Sequence, residues 1–166
     1  HDTTIRESDM VSLKEGNWIN DSIVAFWLEY LQREICGEDK GILFVSPAMS
    51  QIIKLGEKND IDYNLNAIGA WRNDYLFLPV NNNESKELQG GSHWSLLVYS
   101  RFDNAWYHYD SLEGANTNPA LKLVERLNMY LEFEKFQYLL TQLVHSKMII
   151  IAVEPFCYHM LIILQK

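Results

Sequence analysis

Apolar side chains at Ile23, Val24, Trp27, Tyr30 and Leu31 recur at helical spacing behind two good N-cap residues, Asn20 and Asp21. The pattern predicts a helix from Asp21 to Ile35, closed by Gly37. Gly41 to Val45 suits a short strand, and Pro47 can open a second helix running through Ile52, Ile53 and Leu55. Glu57 to Asn66 is polar and punctuated, and reads as a surface loop. The middle of the chain is the most strand-like, with runs at Tyr75–Val80, His93–Ser100 and Ala105–Tyr109. Asn81 to Gly91, rich in Asn, Ser and Gly, must be a loop, whereas Phe102-Asp103-Asn104 is short enough for a hairpin turn. Asn118 then caps a helix through Leu121, Leu123, Val124, Leu127, Met129 and Leu131. Helix, strand, helix, three strands, helix is the order of an α+β fold.

The last thirty residues follow no such pattern. Leu139–Val144 and Met148–Val153 are apolar without an amphipathic period, and Pro155 separates them from the apolar run 156–164. Two buried strands are the expectation for the first two runs. No internal repeat, low-complexity tract or linker divides the chain.

Composition narrows the class. At 166 residues and 48% hydrophobic, the chain has enough for one domain with a sizeable core and too little for two. Fourteen Lys and Arg against 22 Asp and Glu give a formal charge of −8, which argues against a nucleic-acid partner. No apolar run approaches the roughly 18–20 residues of a membrane span. Two cysteines, Cys36 and Cys157, make no disulfide framework and suit a reducing compartment.

Candidate chemistry centres on the hairpin. If residues 102–104 turn the chain back, His93 at the start of one strand lies beside Asp110 at the end of the next. A carboxylate beside an imidazole fixes its tautomer and stabilises its cation, as a general base requires. A strand-edge histidine with a satisfied partner has the same pattern, and hydrolysis also needs a nucleophile. His108 and Asp110 share a strand face, which makes His108 a candidate for solvent or for a contact behind the site. His93, His108, His145 and His159 lack the spacing of a zinc site, and Gly90-Gly91 lacks the remaining glycines and lysine of a phosphate loop, so neither metal nor cofactor is expected. Trp94 directly follows His93, and with Trp18 it can wall a cleft for an extended, small-residue substrate. Trp27, Trp71 and Trp106 read as packing.

Three stretches carry a family resemblance: Trp18-Ile19-Asn20-Asp21-Ser22-Ile23, then Gly90-Gly91-Ser92-His93-Trp94-Ser95 and Tyr107-His108-Tyr109-Asp110-Ser111. Together with Phe77-Leu78-Pro79-Val80, the chain over about Asn17 to Leu131 resembles the Ulp/sentrin-specific protease family, nearest its deneddylase branch. The resemblance implies a papain-like α+β fold and a Cys-His-Asp triad that cleaves ubiquitin-like modifiers after a C-terminal Gly-Gly. It assigns His93 as general base and Asp110 as its orienting partner. Trp18 and Trp94 would roof a tunnel that only residues without side chains can thread, and Asn20 and Asp21 would cap the first helix and help position its mouth. The implied partner is a ubiquitin-like modifier and its conjugates, the neddylation modifier first and SUMO second. A monomer of the cytoplasm or nucleus is expected.

The nucleophile departs from the family. There a Gln and a few polar residues precede Asp-Cys-Gly, and neither feature occurs here in that context. Cys36 sits in a helix-ending Ile-Cys-Gly, and Cys157 in Pro-Phe-Cys-Tyr-His has no Gln before it and no Gly after it. The chain therefore divides into a family domain over 1–136 and a divergent tail over 137–166. Codons for His145 to Val153, read from each third base, permit Gln-Gln-Asn-Asp-Tyr-Asn-Cys-Gly, close to the family's Gln-Gln-Asn-x-Tyr-Asp-Cys-Gly. A tail read out of frame after about Phe136 is one expectation. The functional alternatives are a cysteine peptidase, a modifier-binding relative that does not cut, and an unstable fragment.

Overall fold

The N-terminal segment folds as a short helix α1 (Glu7–Met10) and a 3-10 turn at Val11–Leu13. Its start is moored to the first long helix, because the Asp2 and Thr3 N–H groups donate to the Glu29 carboxylate at 2.5 and 2.9 Å. That helix, α2 (Asp21–Tyr30), begins as its sequence predicts: Ile23 N–H donates to Asn20 Oδ1 at 3.0 Å, satisfying one orphan amide of the first turn. Its regular part stops at Tyr30, short of Ile35. Leu31–Cys36 continue as a wider π turn, and Gly37 leaves it at φ +69°, a conformation glycine adopts without strain.

The computed structural model describes residues 2–37, 41–86, 90–112, 114–131, 139–143, 148–153 and 157–163, from 131 onward by backbone alone. After β1 (Ile42–Phe44), Ser46 caps α3 (Pro47–Leu55) by accepting from Met49 N–H, with Pro47 in the first turn where its missing N–H costs nothing. The expected loop at Glu57–Asn66 is instead a helix, α4 (Lys58–Ala67). Only Ile61 and Leu65, one turn apart, are buried, so a narrow apolar stripe holds a helix whose other faces are polar. A 3-10 turn (Ala70–Arg72) leads to β2 (Tyr75–Asn81), β3 (Trp94–Ser100) and β4 (Ala105–Asp110), and then to α5 (Thr117–Leu131). The residue before the helix is Asn116, whose carbonyl accepts from Ala120 N–H, and the expected cap Asn118 lies inside the first turn.

Strands β2, β3 and β4 pair antiparallel, with Val98 opposite both Phe77 and Tyr107. The expected hairpin turn is present, and Asn104 takes a left-handed φ of +47° within it. β1 adds in parallel beside β2, and β5 (Leu139–Leu143) adds in parallel beside β4, completing a five-stranded mixed sheet. β6 (Met148–Val153) and β7 (Cys157–Ile163) form a separate antiparallel pair. The two apolar runs expected as strands are therefore strands, while the burial of their side chains and the placement of Pro155 lie outside the described residues.

The sheet is covered on both faces. Val24, Leu28 and Leu31 of the first long helix pack on Phe77, Leu96 and Val98. On the other face α3, α4 and α5 bury Leu78, Leu97 and Trp106 with Ile53, Leu65 and Leu123. This is an α+β architecture, and it leaves the ends of β2, β3 and β4 side by side at one edge of the sheet. Trp106 is buried as expected, whereas Trp27 is half-buried against Tyr30. Trp71 is exposed beneath Arg72, whose guanidinium carbon lies 4.6 Å from the ring centre, so it is not core packing.

Candidate active site

The antiparallel pairing of β3 and β4 does what the hairpin predicts. His93 immediately precedes β3, Asp110 ends β4, and His93 Nε2 is hydrogen-bonded to Asp110 Oδ1. Both side chains are almost wholly buried. Because Nε2 is engaged, Nδ1 is the nitrogen left to exchange a proton. Burial alone would push the Asp110 carboxyl up, but hydrogen bonds from His93 and from the Leu112 and Asn116 N–H groups, the latter two at 3.0 Å, outweigh it and hold it below its ordinary value. Asp110 is therefore an ionised, fully engaged acceptor.

Behind the pair lies a buried polar network centred on Asn116, a residue the sequence pattern did not single out. Its backbone N–H donates to Asp110, while its side-chain amide donates to Val80 O at 3.0 Å, Ser95 Oγ at 2.9 Å and His93 O at 3.3 Å. One residue, by its side chain and its backbone N–H together, thus ties the end of β2, the start of β3 and the end of β4. Ser95 Oγ in turn meets His108 Nε2 at 2.9 Å. His108 is fully buried, and burial lowers its pKa, so it stands neutral behind the site rather than in solvent. Asn is so common in turns that only its position six residues after Asp110 could have marked this role.

Trp18, Asn20, Asp21 and Trp94 line one open cleft of about 470 Å³, together with Asn81, Gly90 and Gly91. That volume falls within the usual range of ligand pockets. Trp94 is buried and its indole N–H donates to Ile19 O at 2.9 Å, which locks the strand to the segment before α2. Trp18 is half exposed at the mouth. Asn20 does two jobs: it caps α2 and donates from Nδ2 to Asp9 Oδ1 at 2.8 Å, so α1 supplies part of the wall. Asp21 stands exposed in the helix's first turn. Next to the lining residue Asn81, Asn82 Oδ1 accepts from the N–H groups of Ser92 at 2.8 Å and His93 at 3.3 Å.

Of the two cysteines, only Cys36 has a described side chain, and it stands apart from this arrangement. Cys36 is fully buried in the core on the α2 side of the sheet. Cys157 opens β7, with its backbone paired to Val153; its side chain lies outside the described residues. Among the described residues no three His, Cys, Asp or Glu side chains converge on a metal-sized site, and no helix is long and apolar enough to cross a membrane.

A mixed sheet with a buried His-Asp pair at its edge and an aromatic-walled cleft beside it defines a class. The sequence model of the Ulp1 protease family, C-terminal catalytic domain, matches residues 17–161, and the chain belongs to that family of cysteine proteases. Among its relatives, sentrin-specific protease 8 of Rattus norvegicus is 35% identical over 134 residues, covering 78% of this chain and 60% of the relative. NEDD8-specific protease 2 of Schizosaccharomyces pombe is 27% identical over 139 residues, covering 80% of this chain and 33% of that protein. The chain spans about 60% of the length of sentrin-specific protease 8 from rat, mouse and human. The fold agrees with the SUMO protease Ulp1, solved with its catalytic cysteine oxidised to a sulfinic acid, at a TM-score of 0.65 and 18% identity over 85% of this chain and 64% of that one.

Proposed function

We propose that this chain carries the modifier-tail cleft and the His-Asp half of a cysteine peptidase that cleaves ubiquitin-like modifiers after a C-terminal Gly-Gly, with deneddylation as its reaction. The observation that carries the reading is the buried His93–Asp110 pair, with His93 next in sequence to Trp94, which lines the cleft together with Trp18. His93 is the general base: Nδ1 takes the proton of an attacking thiol and returns it to the leaving amine, while Asp110 holds the ring and stabilises its cation. Trp18 and Trp94 flank the extended Gly-Gly tail, with Asn20 and Asp21 at the mouth. Relatives named as NEDD8-specific proteases in two organisms support the neddylation modifier as partner, with SUMO second.

A second reading, a modifier-binding protein that does not cut, is favoured by Cys36, which the fold seals in the core. One experiment separates the two. The neddylation modifier is prepared with an electrophile in place of its C-terminal carboxylate and incubated with the chain. A covalent adduct lost in Cys157→Ser places a working nucleophile in the tail. Reversible, saturable binding without adduct identifies the binding module, and absence of both removes the assignment.

A further inference from the structure

We propose that Lys54, on the helix behind the cleft, is a positioning residue that clamps the loop after β2 into the shape that sets His93 and the Gly90-Gly91 wall. The proposal rests on the reading of the cleft given above, and it begins from an anomaly. Lys54 is 1% exposed, although a lysine in a helical pattern normally keeps its ammonium in water. Burying an ammonium is unfavourable unless polar atoms replace its hydration. Here the replacements are two backbone carbonyls of one loop: Nζ donates to Asn81 O at 2.5 Å and to Asn83 O at 2.7 Å. From the preceding turn of α3, Gln51 Nε2 donates to Asn83 O at 3.1 Å and reaches Ser85 O at 3.4 Å.

The loop so held is the one that reaches His93. Asn81 Oδ1 accepts from Asn83 N–H at 2.8 Å, folding the segment back on itself. Between them, Asn82 projects its side chain across the gap to the Ser92 and His93 N–H groups and to Ser92 Oγ. Gly91 packs so closely on Asn81 that no side chain fits between them. Carbonyls at 81 and 83 therefore face Lys54 while the side chain at 82 faces the histidine strand. An error in the first contact is transmitted directly to the second. A neutral residue at 54 holds the two carbonyls less strongly at best, since hydrogen bonds from a charged donor are the stronger ones.

The clamp is also titratable. Burial lowers the Lys54 pKa to about 8, with Glu84 of the same loop opposing the shift and Lys122 of α5 adding to it. Losing that proton removes the charge and weakens the hold on the loop.

The test compares the wild-type chain with Lys54→Met, which keeps length and apolar bulk. A fluorescent peptide ending in Gly-Gly reports the cleft, and the Ser92 and His93 amide resonances report the strand. We expect the variant to melt within a few degrees of wild type yet to bind the peptide at least tenfold more weakly. In the wild type both amides should shift with a midpoint near pH 8, a transition absent from the variant. Equal affinities with identical amide shifts across that range overturn the clamp. Should Lys54→Met not fold, the wild-type titration decides alone, and amides that stay still from pH 7 to 9.5 overturn it. Failure of the wild type to bind the peptide would instead count against the cleft reading, while the amide titration still judges Lys54.

Discussion

Gly91 holds a φ of +100°, and a Cβ there would lie 1.9 Å from Asn81 Oδ1. Gly91→Ala therefore combines a backbone conformation that costs about 1–2 kcal/mol with a collision against the cleft wall. We expect a lower urea midpoint and loss of Gly-Gly peptide binding; a variant that binds like wild type would show that this wall does not shape the cleft. Asn116→Ala tests the network behind the pair. It strips a donor from three buried acceptors, and a destabilisation of about 2–3 kcal/mol is expected from denaturant unfolding. The pH dependence follows from two buried groups whose folded pKa values lie below their ordinary ones. A neutral His108 contributes stability that is present above its unfolded pKa of about 6.5 and is lost as pH falls through the folded value. Asp110 does the same further down, its contribution fading below about pH 3.9. The melting temperature should thus fall in two steps on acidification, and His108→Gln should flatten the upper one.

Among the elements, what the sequence revealed depended on how much apolar surface each one buries. The helix at Asp21 and the hairpin of β3 and β4 were legible because a capping residue, a regular period and a short turn agree there. That hairpin alone was enough to bring His93 to Asp110. The helix α4 was not legible, since Ile61 and Leu65 are its only buried side chains and a polar stretch with one apolar stripe reads as loop. Lys54 and Asn116 escaped for a related reason. Each is of a residue type expected on surfaces and in turns, and only the tertiary arrangement buries them. The separate pair of β6 and β7 carries its own prediction. Among the described residues β6 and β7 pair only with each other, and a two-stranded pair holds weakly, so their amides should exchange about 100-fold faster than those of Leu97 and Val98 in the sheet's centre. Equal protection would mean that the pair is built into the main core.

At the scale of the molecule, the two covered faces of the sheet serve the edge between them. The segment before α2 fixes the Trp18–Trp94 wall through the Trp94–Ile19 bond, and α3 fixes the loop after β2 through Lys54. The His-Asp pair sits where those supports meet, so a cleft between rigid walls is the feature the fold is organised to present. The most direct measurement is the affinity of the chain for the neddylation modifier against the same modifier with its terminal Gly-Gly changed to Ala-Ala. Specific binding with the Gly-Gly tail, reported by Trp18 and Trp94 fluorescence and weakened at least tenfold by Ala-Ala, is the result this account predicts. Equal affinity for both tails, or no binding to either, would contradict it.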